Sequence, residues 1–288
     1  MRTVRLRHVD AFTSVPLAGN PAAVVDGGGL SPELMQRIAL NQKLSETVFL
    51  LPPEAPDAHA RLRIFTPGTE VPFAGHPTLA AAHVLAAERG LGGELRFETG
   101  AGIIPVRVGA TSPRYTMTQA APQFDEPRLT REQVAAALGL SAGDVVAVAR
   151  VSTGLWWDLA QVAIPEAMAR VRPDLGALMQ MPFGVSVFTI DEASDERVHV
   201  RTFAPAAGVP EDPVTGSSNG CIGAYIAHEG LLGPDADGAI HYIARQGVEM
   251  GQPGRVYVSV ARAGEGMSVS VGGDAVTVLR GDLLLPDA

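Results

Sequence analysis

Two segments of the chain share one residue pattern, and this internal repetition limits the fold more than any other feature of the sequence. The segment RIFTPGTEVP at 63–72 matches RTFAPAAGVP at 201–210 at its arginine, phenylalanine, valine and both prolines, with a constant shift of 138 residues. The match resumes at ERGL (88–91) and HEGL (228–231), now with a shift of 140 residues. The period is too long for a solenoid and predicts two halves of similar construction. Chance similarity within an ordinary α/β chain is the alternative.

The 288 residues are enough for two medium-sized domains. We predict a division into 1–122 and 123–288, with room for a short C-terminal segment to return to the first domain. Each half shows many short strands and one strongly apolar helix, near 77–89 and near 217–229. A curved sheet wrapped around such a helix would bury it on every side, which fits its lack of a charged face. The alternative, a doubly wound parallel sheet, needs more helices in regular alternation with strands.

The composition of the chain argues against nucleic acid and membranes as binding partners. A net charge of −9 and a pI near 5.2 argue against a nucleic-acid surface, which needs clustered Lys and Arg. No apolar run approaches the roughly 20 residues of a membrane helix, and the N-terminus alternates like a strand instead of forming a signal segment. We therefore expect a cytoplasmic protein with a small-molecule partner, no nucleic acid and no membrane.

The sequence gives little support for a metal site, a nucleotide-binding loop or a mechanism based on thiols. The seven histidines show no spacing typical of metal ligands, and DGGG at 26–29 lacks the Lys-Ser/Thr of a phosphate loop. The single cysteine, Cys221, excludes an internal disulfide, a cysteine-rich metal site and a two-thiol mechanism. Any Schiff-base chemistry would have to use the single lysine, Lys43. We predict no metal site.

Glu46 is the first candidate for proton chemistry. It lies in LSETVFL at 44–50, at the entry to an apolar strand. If the carboxylate faces the interior, desolvation raises its pKa and suits it to give and take protons near neutral pH. If the side chain points to water at the strand end, it has no such role, and the residues alone leave both options open.

His76 is the second candidate. It follows Gly75 in VPFAGHPT at 71–78, where glycine permits close approach of a ligand and Pro77 suits the first helical position. The N-terminus of a helix offers unpaired N–H groups and partial positive charge, so a carboxylate can bind there. His76 could shuttle protons beside it. The alternative is a histidine that only caps the helix.

Asp212 is the third candidate and belongs to EDPVTGSSNG at 211–220. The residues Thr215, Gly216 and Ser217 open the second apolar helix, so this segment provides a second helix N-terminus. The alternative to a role in proton chemistry is that Asp212 only acts as an Asx-type turn residue.

Six ordered segments together resemble the phenazine-biosynthesis PhzF-like family over nearly the whole chain. They are VDAFT at 9–13, AGNPAAV at 18–24, LSETVF at 44–49, FAGHPT at 73–78, EDPVTGS at 211–217 and QGVEMG at 246–251. The resemblance implies the α+β diaminopimelate epimerase-like fold: two pseudo-symmetric halves, each a barrel-like, mostly antiparallel sheet around a central helix, with the active site in the cleft between them.

The same resemblance implies an activity. The best-known member of the family isomerises a dihydro-hydroxyanthranilic acid by moving a proton between ring carbons, without a cofactor, through the glutamate of the Ser-Glu-Thr segment. By resemblance Glu46 is the general acid/base, His76 and Asp212 support the acid/base chemistry, and the protein is a homodimer. Substrate contacts are implied for Asn20, Ser45, Gly75, Thr215, Gly216 and Ser217.

The sequence thus favours a cofactor-independent isomerase that moves a proton on a small carboxylic acid. An amino-acid epimerase or racemase with one carboxylate base is an alternative; related enzymes use two cysteines, which Cys221 alone cannot supply. A silent binding protein is another alternative. The family pattern MGRPS appears here as MGQPG at 250–254, so Gln252 replaces an arginine and the substrate stays open.

Overall fold

The computed structural model describes residues 2–181, 184–264 and 266–286. By compactness the chain separates into two units, one formed by residues 1–117 and 272–288 and the other by residues 118–271. The C-terminal residues therefore belong with the N-terminal unit. The division into two domains with a boundary after residue 122 stays a prediction.

Seven complete strands and two helices of the first unit precede residue 117. They are β1 (Arg2–Ala11), β2 (Asn20–Asp26), α1 (Pro32–Gln42), β3 (Glu46–Leu51), β4 (Ala60–Phe65), β5 (Glu70–Val71), α2 (Gly75–Arg89), β6 (Gly93–Thr99) and β7 (Gly102–Val108). Strand β8 (Tyr115–Thr118) spans the boundary between the units.

Within the described residues, the second unit has four α-helices. Its elements are β9 (Gln123–Asp125), α3 (Arg131–Ala137), β10 (Val145–Ser152), β11 (Trp156–Val162), α4 (Pro165–Arg170), α5 (Leu175–Met179), β12 (Val185–Ile190), β13 (Val198–Ala204), β14 (Val209–Asp212), α6 (Gly216–Glu229), β15 (Ile240–Gln246) and β16 (Gly254–Ala263). Strand β17 (Gly266–Gly273) crosses the second boundary, and β18 (Ala275–Leu285) pairs with β1 in the first unit.

The pairing of strands repeats from one unit to the other. In the first, β2 runs parallel to β3, β3 antiparallel to β4, β4 antiparallel to β5 and parallel to β6, and β6 antiparallel to β7. In the second, β11, β12, β13, β14, β15 and β16 pair in the same sequence of directions. The fold is α+β and mostly antiparallel, as predicted, and a doubly wound parallel sheet is excluded by this pairing.

Each unit has one helix that is buried on nearly all sides. In α2, ten of the eleven residues from His76 to Ala86 are buried, with the half-buried His83 as the exception, and they pack against strands that include β1, β2 and β3. In α6, the residues from Ser218 to Ile226 are all buried, against β10, β11 and β16. An apolar helix without a polar face is stable only in such surroundings.

The repeated arginine makes the same ion pair in both units. Arg63 donates two hydrogen bonds to the Glu70 carboxylate, from Nε to Oε1 at 2.7 Å and from Nη2 to Oε2 at 2.6 Å. Arg201 donates likewise to Glu211, at 2.8 and 3.0 Å. Bidentate pairs of this kind are strong and geometrically specific.

The repeated phenylalanine completes the arrangement. Cζ of Arg63 lies 5.3 Å from the ring centre of Phe65, and Cζ of Arg201 lies 5.2 Å from that of Phe203, which is within the range of a cation–π contact. The matched residues of the sequence repeat thus hold the hairpin that precedes each buried helix, and the internal repetition is structural.

Some local elements were not expected from the sequence. Helices α4 and α5 lie between strands of the second unit, and the short strand β9 pairs with β10. Both helices are short, with six and five residues. Helices of this length carry too little periodicity to be recognised in a sequence.

Among the described residues, no helix is both long and apolar enough to cross a membrane.

Candidate active site

Glu46 is placed by the parallel pairing of β2 and β3. It lies opposite Ala22, so both side chains are on the same face of the sheet, and Asn20, two residues earlier on β2, shares that face. The opposite face, with Ala23 and Phe49, packs against α1 in an apolar cluster. The face with Glu46 is turned towards α2, which contacts both strands.

The carboxylate of Glu46 is largely removed from water. Its side chain is 18% exposed, and Oε2 lies 3.3 Å from Nε2 of His76. Within the described chain this oxygen has no hydrogen bond of normal geometry, so the contact with His76 is electrostatic. Burial raises the pKa of Glu46, while a hydrogen bond from Ser45 partly opposes the shift. Glu46 therefore has the interior environment that acid/base chemistry requires, and the water-facing alternative does not hold.

His76 is the second residue of α2 and is 7% exposed. The helix begins at Gly75, two residues earlier than predicted, because Ala74 has the extended backbone of an N-cap residue (φ −148°, ψ 140°). The alternative of a capping histidine is therefore wrong. Nε2 of His76 also lies 3.5 Å from Oγ of Ser45. The neighbouring residues Ser45 and Glu46 therefore both contact the imidazole.

The start of α2 has no side-chain cap from its N-cap residue. Ala74 makes no side-chain cap, and the first N–H groups of a helix have no partner within the helix. A methyl group at Gly75 would meet only Cε of Met117, at an ordinary 3.7 Å. Packing therefore does not require glycine at this position, and the close approach of a ligand there stays a prediction.

Asn20 follows a strained loop that the sequence analysis did not identify. Phe12 and Leu17 have φ values of 63° and 66°, a conformation that costs energy for residues with a side chain. The buried carboxylate of Asp10 holds the loop by accepting the backbone N–H of Leu17 at 2.7 Å. Asn20 itself is buried. The available signal was Asp10, the single acidic residue among the ten residues of β1.

In the second unit, Asp212 is the last residue of β14. Its Oδ2 accepts a hydrogen bond from the hydroxyl of Thr215 at 2.5 Å. This contact spans three residues and is what a turn-forming aspartate would make. It also fixes the direction of the carboxylate directly before α6, whose N-cap is Thr215 and whose first residues are Gly216 and Ser217. The geometry fits both roles considered for Asp212.

The second unit has no counterpart of Glu46. The matched residues Phe65 and Phe203 pair with Thr47 and Val185, so the residue that corresponds to Glu46 is Gly184.

The space beside Gly184 is filled by a tryptophan. A methyl group on Gly184 would lie 2.2 Å from the ring of Trp157. The indole Nε1 donates to Oγ of Ser217 at 3.1 Å, at the start of α6. In the first unit this strand position carries the Glu46 carboxylate. In the second unit the indole of Trp157 occupies the space that a side chain on Gly184 would need.

The described part of the chain contains no group of three or more metal-ligating side chains. Cys221 is buried, and burial raises the pKa of its thiol to about 11, so it stays protonated near neutral pH. It is not placed to act as a thiolate base.

Comparison with known proteins gives a consistent picture. Residues 9–281 match the family model PhzC-PhzF, described as phenazine biosynthesis-like protein. A trans-2,3-dihydro-3-hydroxyanthranilate isomerase of Pseudomonas aeruginosa is 36% identical over 95% of this chain and 96% of its own length. An uncharacterized isomerase of Deinococcus radiodurans is 39% identical over 96% and 94%. The crystal structure of a Bacillus anthracis phenazine biosynthesis protein of the PhzF family aligns with a TM-score of 0.90, at 33% identity, over 99% of this chain and all of the other.

Proposed function

The chain belongs to the PhzC-PhzF family of phenazine biosynthesis-like proteins and is an isomerase; from this premise we propose that it moves a proton on a small carboxylic acid, with Glu46 as the general acid/base. The observation that carries this proposal is the buried carboxylate of Glu46 at 3.3 Å from His76, beside the N-terminus of α2. Arrangements with a perturbed carboxylate next to a second titratable group are typical of acid/base catalysis.

The proposed chemistry needs no redox step. The ionised carboxylate of Glu46 takes a proton from a carbon of the substrate, and the electron pair of the broken C–H bond stays on the substrate, delocalised towards a neighbouring unsaturated group. The protonated Glu46 then returns the proton to a different carbon. The raised pKa of Glu46 strengthens it as a base and keeps both protonation states accessible.

Two further elements support this step in the proposal. The first N–H groups of α2, beside Gly75, bind the substrate carboxylate through the helix N-terminus, with Ser45 and Asn20 on the same side. His76 polarises the reacting group or returns a proton to it. Asp212, Thr215, Gly216 and Ser217 are proposed to serve the same reaction. No cofactor takes part, and a homodimer is proposed from the family.

Hydrogen exchange with solvent tests the reaction class. We expect a carboxylic acid that is a true substrate to gain deuterium at carbon when it is incubated with the protein in D₂O and followed by ¹H NMR. The first compound to use is the dihydro-hydroxyanthranilate named for the Pseudomonas relative, followed by other cyclic acids and by proline as an amino acid.

Each outcome of the exchange experiment decides between the candidates, provided that binding is measured in the same tube by ligand-detected NMR. Deuterium at a new carbon supports the isomerase. Deuterium at the α-carbon of an amino acid, with inversion, supports an epimerase instead. Ligands that bind without any exchange and without any conversion to an isomer show a silent binding protein.

The rate of turnover is expected to depend on pH through Glu46. Because the base acts in its ionised form and burial raises its pKa, kcat/KM should rise with pH along a limb centred above the ordinary glutamate value of 4.5. The hydrogen bond from Ser45 stabilises the ionised form, so Ser45→Ala should move this limb to still higher pH. A pH profile of kcat/KM for both proteins measures the two midpoints; a limb that stays in place or moves to lower pH in Ser45→Ala contradicts the assignment.

A further inference from the structure

Gln246 is the last residue of β15 and is completely buried in the second unit. Its Nε2 donates to the backbone oxygen of Asp212 at 2.9 Å and to Oγ1 of Thr215 at 3.1 Å. Its Oε1 accepts from the backbone N–H of Thr215 at 3.1 Å and from Nδ2 of Asn219 at 2.9 Å. Two donors and two acceptor positions are all that a glutamine amide has, so the side chain is fully used by these contacts.

The donors and acceptors fix the direction of a hydrogen-bond chain. An amide nitrogen can only donate, so Oγ1 of Thr215 accepts from Gln246 and must direct its own hydrogen elsewhere. The acceptor at 2.5 Å is Oδ2 of Asp212. The chain therefore runs from Gln246 through the Thr215 hydroxyl to the Asp212 carboxylate. Because all three groups are held by short contacts, the carboxylate is held in one orientation.

The turn after Gln246 is shaped to bring it against this loop. Gly247 has a φ of +79°, and a methyl group there would lie 2.3 Å from the backbone oxygen of Gln252 and 2.7 Å from that of Pro213. Only glycine fits both the conformation and the space. The Gln-Gly pair thus lets one backbone approach the other closely enough for the amide of Gln246 to reach Asp212 and Thr215.

We propose that Gln246 is a positioning residue that sets the orientation of Asp212 through the hydroxyl of Thr215. The functional part rests on the proposed role of Asp212 in the isomerase reaction. A merely structural role is the competing explanation, in which Gln246 only satisfies buried polar groups at the start of α6. The two explanations differ in whether the effects of Gln246 and Thr215 on turnover are coupled.

A double-mutant cycle tests the coupling. Gln246→Met keeps the length of the side chain but removes all of its hydrogen bonds, and Thr215→Val keeps the shape of threonine but removes the relay hydroxyl. We expect each variant to lower kcat by about 10–100-fold, the range seen when a group that orients a functional side chain is removed, with little change in KM. The double variant should lose little more than either single variant, because both substitutions break the same hydrogen-bond chain.

Ser218→Ala is the matched control. Ser218 is buried in the same turn of α6 and bonds Oγ1 of Thr202 and the backbone oxygen of Thr215, but it does not contact Asp212. It should lower the thermal stability of the protein while kcat changes less than about threefold. Losses of kcat that multiply in the double variant, or a loss in Ser218→Ala as large as that in Gln246→Met, overturn the proposal in favour of the structural role.

A crystal structure of Gln246→Met separates this proposal from the proposed function. We expect the Asp212 carboxylate to leave its place at Thr215 in the variant. This readout does not depend on turnover, so it decides the positioning role even when the wild-type protein isomerises none of the acids offered. If Asp212 keeps its orientation without Gln246, the proposal is wrong.

Discussion

Glu46→Gln should abolish proton transfer and at the same time stabilise the folded protein at neutral pH. Removing a general acid/base lowers turnover by about 10²–10⁴-fold. The amide keeps the size of the side chain but cannot take a proton from carbon. Steady-state kcat, or the rate of deuterium incorporation from D₂O, measures the loss. Unchanged turnover in Glu46→Gln would falsify the mechanism.

The gain in stability follows from the direction of the pKa shift. Because burial raises the pKa of Glu46, the folded state binds this proton more tightly than the unfolded state does. Its stabilising contribution is therefore present at low pH and is lost as the pH rises from the unfolded pKa through the folded pKa. Glutamine is neutral at every pH, so the variant carries no carboxylate whose ionisation burial opposes. Thermal unfolding between pH 4 and pH 8 should show that the stability of the variant relative to the wild type increases as the pH rises.

Glu70→Gln is the control for the Glu46 variant. Glu70 is paired with Arg63, and the hydrogen bond from Arg63 holds its pKa below the usual value. The contribution of Glu70 to stability therefore has the opposite pH dependence to that of Glu46. Ionised Glu70 contributes stability above its unfolded pKa, and this contribution is lost as the pH falls through the lower folded pKa. Glu70→Gln should be slightly less stable at neutral pH with unchanged turnover. A loss of stability in both variants contradicts the burial argument for Glu46.

Arg201→Met should destabilise the protein far more than the same substitution at the corresponding Arg63. The Arg201–Glu211 pair is buried, with side chains 7% and 18% exposed, whereas the Arg63–Glu70 pair is 23% and 41% exposed. Removing one partner of a buried pair leaves an uncompensated charge and costs about 3–5 kcal/mol. An exposed pair contributes about 0–1 kcal/mol.

Urea unfolding of the two arginine variants measures this difference. The surroundings of Arg201 enlarge it, because Glu249 lies 4.0 Å from its Nε and would also lose a positive neighbour. Since the two arginines share their motif, their bidentate geometry and their aromatic partner, burial is the main variable. Equal shifts of the unfolding midpoint would show that exposure does not set the strength of these pairs.

Much of the scaffold could be predicted from the sequence, for identifiable reasons. The repeated Arg-x-Phe pattern predicted two similar halves, and the same ion pair and ring contact occur at Arg63 and at Arg201. The absence of a charged face on two helices predicted their burial, and α2 and α6 are buried. These features depend on residues close in sequence or on periodicity. The short α4 and α5 depend on packing within the second unit and could not be predicted in the same way.

The candidate site was predictable in its residues but not in its contacts. Glu46 and His76 were recognised as chemically suitable, yet 30 positions separate them in the chain. They meet because β3 pairs with β2 in one register and because α2 covers that face of the sheet. A shift of one residue in this register would turn Glu46 to the other face. The roles of Asp10 and Gln246 were missed for the same reason, since their partners lie in other segments.

By itself the sequence determined the class of the fold, the family, and the side chains available for proton chemistry, because motifs and periodicity are local properties of the chain. Only the tertiary structure showed what surrounds each of the two equivalent strand positions. In the first unit the strand position holds Glu46, desolvated beside His76; in the second it is Gly184, with the ring of Trp157 in its place. The environment of a carboxylate depends on what packs around it, and packing is a property of the folded chain.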